Sequence, residues 1–121
     1  MAKFIVEGGH RLKGEIRPQG AKNEALQIIC AALLTKERVV LHNVPIIADV
    51  MQLLDLMSHM GVKVERLSDD DFALQADEIN LDYLRSADYH KRCRRLRGSV
   101  MMIGPLLTRF GVGYMPKPGG D

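Results

Sequence analysis

Gly20-Ala21-Lys22-Asn23-Glu24-Ala25-Leu26 opens onto an almost unbroken apolar run that lasts to Leu34. That density of apolar residues predicts a helix over residues 21–35. From Leu26 to Leu34 it is apolar nearly all round, so the pattern predicts a helix buried on every side. A small Gly-Ala pair leads straight into a cation and an amide. Lys22 and Asn23 therefore fall at the positive end of a helix dipole, where the first backbone N–H groups lack partners. Such an end seats a phosphate or a carboxylate. A solvated helix cap has the same residue types, so the reading needs support from the rest of the chain.

Working outward, residues 4–7 read as a short strand, Gly8-Gly9 as a turn, and residues 12–17 as a second strand stopped by Pro18. On the other side, residues 38–42 are rich in β-branched side chains and predict a strand, punctuated by Pro45. Residues 47–60 form an amphipathic pattern with Val50, Leu53, Leu54, Met57 and Met60 on one face and Gly61 as the stop. Residues 62–66 alternate as a strand, Ser68-Asp69-Asp70-Asp71 turns, and residues 72–75 pair back. Residues 77–90 are polar and mixed, anchored by Ile79, Leu81 and Leu84. From about Arg95 a second buried helix is expected, with Leu96, Val100, Ile103, Leu107 and Phe110 at helical spacing. Residues 112–115 read as a strand and residues 116–121 as a loop.

The chain also echoes itself. Leu33-Leu34-Thr35-Lys36 returns as Leu106-Leu107-Thr108-Arg109. Each copy closes an apolar helix, and each is followed by a short strand and then a proline. Each helix has a basic residue near its start, Lys22 in one and Arg97 in the other. This predicts an α/β unit used more than once.

Bulk properties narrow the function. The 121 residues suffice for one modest core. With 46% hydrophobic and 26% charged residues, the chain is not of the disordered class. A net charge of +2 gives no overall pull toward nucleic acid. The longest apolar run, residues 100–107, is too short for a membrane span and is broken by Gly104 and Pro105. Cys30 lies in an apolar helix and Cys93 in a basic stretch. They show neither metal nor disulfide spacing and fit reduced thiols in a cytoplasmic protein. His10, His42, His59 and His90 are scattered, with no metal-ligand spacing, and the methionines fill core positions.

The segments Phe4-Ile5-Val6-Glu7-Gly8, Leu12-Lys13-Gly14-Glu15-Ile16, Gly20 to Leu26, Asn43-Val44-Pro45, Asp49-Val50, Leu96-Arg97-Gly98-Ser99, Gly104-Pro105-Leu106-Leu107, Arg109-Phe110-Gly111 and Pro118-Gly119-Gly120 carry a resemblance. In order and spacing they are similar to the enolpyruvyl transferases, over the whole chain. The resemblance implies an α/β (α+β) fold of repeated βαβαββ units with buried helices, an inside-out α/β barrel. In that family two such domains enclose the active site. Members are several times longer than 121 residues, so the resemblance implies an N-terminal fragment, expected to lack turnover on its own. Residues 1–20 would be a strand pair that packs in the second domain. Residues 21–121 would be the first βαβαββ-type unit and the start of the next, in the first domain.

Within the family, the 5-enolpyruvylshikimate-3-phosphate synthase branch favours Gly-Ser-Lys-Ser at this helix start. Lys22-Asn23 is more similar to the cell-wall branch. That branch transfers the enolpyruvyl group of phosphoenolpyruvate to the 3-hydroxyl of UDP-N-acetylglucosamine and releases phosphate, the first committed step of peptidoglycan synthesis. No cofactor or metal is implied, and oligomeric state is left open.

Residue by residue, the resemblance gives Lys22 and Asn23 to phosphoenolpyruvate and Arg97 to UDP-N-acetylglucosamine. Arg97 closes the run Lys91-Arg92-Cys93-Arg94-Arg95-Leu96-Arg97, five basic residues in seven. Only Arg97 matches the family motif. A planar guanidinium suits a diphosphate. After Pro-Gly-Gly the family usually has a cysteine that acts as general acid. Here that position is Asp121. A carboxyl can still deliver a proton, but it is a far poorer nucleophile than a thiolate. Since fosfomycin alkylates that cysteine, the substitution implies resistance to it. Two alternatives remain: the shikimate-pathway branch, and a small module binding nucleic acid through residues 91–97. The latter lacks interleaved aromatic residues, with Tyr89 the only ring nearby.

Overall fold

A computed structural model describes residues 2–117. The first helix, α1 (Lys22–Ala31), runs on through a 3-10 turn at Ala32–Leu34. Strand β1 (Arg38–Leu41) follows, then helix α2 (Ala48–His59), then β2 (Lys63–Arg66) and β3 (Phe72–Gln75). The three strands form one antiparallel sheet in the order β1-β3-β2. Val39 and Val64 both face Leu74 across the ladders. Phe72, Ala73 and Leu74 are all buried, as befits the central strand. This α-β-α-β-β order matches the last five elements of a βαβαββ unit.

Beyond the sheet lie a 3-10 turn at Tyr83–Arg85, helix α3 (Ala87–Arg95), a 3-10 stretch at Arg97–Met102 and helix α4 (Ile103–Phe110). Helix α2 is central. It packs on α1, on β2, on α3 and on the 97–102 stretch. Its Val50, Leu53, Leu54, Leu56 and Met57 are buried, with Met60 just beyond. A buried side chain of this kind contributes about 1.5–3 kcal/mol. An exposed ion pair contributes at most about 1 kcal/mol. The apolar core, not the surface charge pairs, therefore holds the fold.

Two close approaches explain glycines in the motifs. A Cβ on Gly20 would lie 2.0 Å from the Asn43 carbonyl oxygen and 3.0 Å from Pro45 Cδ. Gly20 thus lets the chain press against the β1–α2 connection, where Asn43 itself has a left-handed φ of 55°. A Cβ on Gly98 would meet Leu26 Cδ1 at 3.1 Å. This glycine lets the 97–102 stretch lie directly on α1. Gly20→Ala is expected to destabilise the chain by about 1–3 kcal/mol through backbone displacement. The midpoint of denaturant unfolding checks this.

The structure corrects four expectations. Residues 2–19 form no strand pair. Phe4, Ile5, Val6, Leu12 and Ile16 are each at least 81% exposed. A two-stranded ribbon is marginal alone, and these residues pair with no edge of the sheet. Second, α1 is not buried on every side. Leu26, Ile29, Cys30 and Leu33 face the core, while Ile28 and Leu34 are 40% and 50% exposed. Its packing partners among the described residues lie on one side only.

Third, the later apolar run is not one continuous helix. The buried side chains are Leu96, Ser99, Met102 and Leu106, whereas Val100 and Leu107 are exposed. A 3-10 stretch eclipses i and i+3, so the inward row steps by three before α4 resumes α-helical spacing. Helix α3 precedes it and begins inside the region read as polar and mixed. Ser86 caps α3 by accepting from Tyr89 N at 3.1 Å. Fourth, residues 112–115 are not a strand. Tyr89 OH donates to the Tyr114 carbonyl at 2.9 Å, and Arg85 Nε donates to Tyr114 OH at 2.9 Å. Side chains rather than a ladder hold this segment.

The internal echo has a structural counterpart. Arg109, in the second copy, reaches the end of the first. Its guanidinium donates to the carbonyls of Leu33 at 2.9 Å, Thr35 at 3.0 Å and Asp77 at 3.2 Å.

Candidate active-site groove

Helices α1 and α2 begin side by side, and neither start is closed by a capping side chain. Ala21 and Ile47 hold the N-cap positions and supply no side-chain bond. Lys22 stands first in α1 and Asp49 second in α2, and their side chains form an ion pair. The 97–102 stretch lies against α1 because Gly98 allows it, and this brings Arg97 beside Lys22 and Asn23. All three line one open groove, floored by Leu26 and Gly98 and bordered by Gln27 and Asp49. The sequence places Lys22 and Arg97 far apart; the fold puts them on one wall.

The groove is suited to an anion. Lys22 and Arg97 supply two cations, and the N-termini of α1 and α2 add partial positive charge. Lys22 and Asn23 are exposed, so a ligand reaches them without rearrangement of the core.

The segment leading to Asp121 is tethered at the same place. Arg97 also borders a second, small depression lined by Cys93, Ser99, Met115, Pro116 and Lys117. Ser99 is buried, donates to the Cys93 carbonyl at 3.1 Å and touches Met115 Sδ at 3.8 Å. Asp121 itself, with Pro118, Gly119 and Gly120, lies outside the described residues.

One residue of the basic run is drawn out of it. Arg92 turns inward to a polar cluster, donating through Nε to Asp88 at 2.9 Å and pairing with Asp55. Lys91, Arg94, Arg95 and Arg97 are exposed. Tyr83 OH donates to Asp88 at 2.5 Å, and burial followed by this carboxylate pushes the phenol up to about 12. Both cysteines are free and buried, and burial pushes Cys30 up to about 12, so its thiol is inert at neutral pH. His42 pairs with Asp71 at 3.1 Å, and His59 Nδ1 donates to the Asp55 carbonyl at 2.8 Å. Among the described residues no cluster of three His, Cys, Asp or Glu could hold a metal ion, and no helix is long and apolar enough to cross a membrane.

Three carboxylates outside the groove are held below their ordinary value of 3.8. Asp71 is lowered by bonds from Ser68 and His42, Asp77 by Lys63, and Asp88 by Tyr83 and Arg92. Each is deprotonated more easily in the folded chain than in the unfolded one. Their contribution is complete above about pH 3.8 and is lost as pH falls through the lowered values. The denaturant midpoint is expected to hold steady down to about pH 5 and then to fall on further acidification.

Sequence reading missed two things here. Asp49 was part of a recognised segment but had no role. Its signal is an acidic residue in the first turn of α2. The Tyr89–Tyr114 tether was hidden because α3 is strongly polar, with only Tyr89 and Cys93 buried.

The mixed helix-and-strand fold is that of the enolpyruvyl transferase class. The enolpyruvyl transferase NikO from Streptomyces tendae superposes with a TM-score of 0.67 at 26% identity, covering 88% of this chain and 24% of that one. The family model described as EPSP synthase (3-phosphoshikimate 1-carboxyvinyltransferase) matches residues 6–121, and the chain belongs to that family. Relatives named UDP-N-acetylglucosamine 1-carboxyvinyltransferase are 56% identical in Porphyromonas gingivalis and 55% in Bacteroides fragilis, over all of this chain. One from Bradyrhizobium diazoefficiens is 45% identical over 98% of it. The chain spans 28% of the length of the first two relatives and 27% of the third.

Proposed function

We propose that this chain forms one wall of the active site of a transferase. The reaction moves the enolpyruvyl group of phosphoenolpyruvate to the 3-hydroxyl of UDP-N-acetylglucosamine and releases phosphate, in peptidoglycan synthesis. The observation that carries the proposal is the shared groove of Lys22, Asn23 and Arg97, built across two uncapped helix starts. The relatives' names favour the same substrates.

Addition joins the sugar oxygen to C2 of phosphoenolpyruvate as the hydroxyl gives up its proton to a base in the remainder of the full-length protein, and a proton is added to C3. Elimination then breaks the C2–O bond to phosphate and removes a proton from C3. Charge gathers on phosphate as it leaves, so a fixed ammonium and amide lower the barrier. Lys22 and Asn23 have that role. Arg97 binds the diphosphate of the nucleotide sugar through its fork of N–H donors. Asp121 supplies the proton to C3. A free carboxyl has a pKa of about 3.9, so the acid must be raised in the closed site or receive its proton with the substrate.

Residues 2–19, unpaired and with exposed apolar side chains here, would become a strand pair only by docking on a second domain, and residues 21–121 belong to the first. A biosynthetic enzyme of this kind works in the cytoplasm on small soluble substrates. In a full-length protein carrying this chain, phosphate release from phosphoenolpyruvate should depend on UDP-N-acetylglucosamine and not on shikimate 3-phosphate. Release driven by the shikimate ester alone would place the chain in the sister branch.

A further inference from the structure

Asp49 is the single acidic side chain among the described residues lining the groove, and the proposed reaction gives it no task. An acid beside an anion site is an unfavourable choice unless it serves the cation next to it. Here the geometry ties it to that cation. Asp49 is in the first turn of α2, where the helix N-terminus holds a carboxylate favourably. Lys22 is at the first position of α1, where the same partial charge opposes an ammonium. Left alone, a long half-exposed lysine at that position would spread over many rotamers in solvent. The Asp49 carboxylate crosses from α2 and pairs with the ammonium, which stays on the wall shared with Asn23 and Arg97.

We propose that Asp49 is a positioning residue that fixes the Lys22 ammonium for the anionic substrate. An ammonium carries three N–H donors. Pairing with one carboxylate leaves donors directed to a ligand. Two cations against one acid also keep the groove net positive. The proposal rests on the reading of Lys22 as the phosphoenolpyruvate contact. An ordinary surface ion pair is the competing account, and it predicts no effect on ligand binding.

The test is calorimetric binding of phosphoenolpyruvate to a full-length protein carrying this chain, in the presence of a 3-deoxy analogue of UDP-N-acetylglucosamine that cannot accept the enolpyruvyl group. The variants are Asp49→Asn, Asp49→Glu, Lys22→Ala and the double Lys22→Ala/Asp49→Asn. Asp49→Asn should weaken phosphoenolpyruvate binding about 5-fold, the scale of one exposed ion pair. Affinity for the nucleotide sugar and the melting temperature should stay near wild type, and Asp49→Glu should recover most of the loss. In the Lys22→Ala background, Asp49→Asn should cost nothing further, because its effect acts through Lys22. Unchanged or tighter binding by Asp49→Asn would overturn the proposal, as would an equal loss in both Lys22 backgrounds. Normal binding by Lys22→Ala would instead overturn the phosphoenolpyruvate reading itself.

Discussion

Lys22→Ala in a full-length protein carrying this chain should abolish turnover and weaken phosphoenolpyruvate binding by roughly 10–100-fold. One charge-assisted contact to a ligand is worth about 1.5–3 kcal/mol, and each 1.4 kcal/mol is tenfold. The loss of turnover exceeds the loss of binding because the ammonium also stabilises charge that develops on the departing phosphate. Lys22→Arg should recover only part, since a planar fork cannot occupy the place of a compact ammonium. The fold should tolerate both changes, because the Lys22 side chain is half exposed and outside the core. Steady-state kinetics with near-normal values for Lys22→Ala would reduce this helix start to a solvated cap.

Asp121 carries the second large effect. A carboxyl can give and take a proton at the position where the family usually has a thiol, but a carboxylate opens an epoxide poorly. Full-length protein should therefore keep turning over in fosfomycin, with no covalent adduct by mass spectrometry. Asp121→Cys should stay active and become sensitive, gaining the inhibitor's mass at that residue. Asp121→Asn should lose most activity, because an amide has no proton to deliver at neutral pH. Rapid irreversible inactivation of the unmodified protein, or full activity of Asp121→Asn, would remove Asp121 from the role of acid.

The sequence was most legible where one period governed a whole element. Helix α2 shows its inward row of Val50, Leu53, Leu54 and Met57 plainly, and all four are buried. The β2–β3 hairpin was equally plain from the acidic turn between two alternating strands. Legibility failed where a neighbour decided the outcome. Nothing in residues 4–17 says that a β-prone segment will find no sheet to join. Nothing in the spacing of Leu96, Val100 and Ile103 announces a 3-10 stretch, whose tighter winding turns Met102 and Leu106 inward instead. The groove was half legible. Lys22 and Asn23 announce a helix start fit for an anion, and a family resemblance named Arg97. Their meeting depends on Gly98 lying against Leu26, a contact that only the fold supplies.

The Arg109 clamp bears on how the molecule opens. Three carbonyls from two distant segments depend on one guanidinium, and the Leu33 partner is 76 residues away in the chain. Fraying of α4 would strand those carbonyls, so the ends of α1 and α4 should loosen together or not at all. In hydrogen-exchange terms they belong to one cooperative unit. Hydrogen exchange should therefore show amides near Leu33 and those of α4 opening with similar free energies, and Arg109→Ala should lower both together.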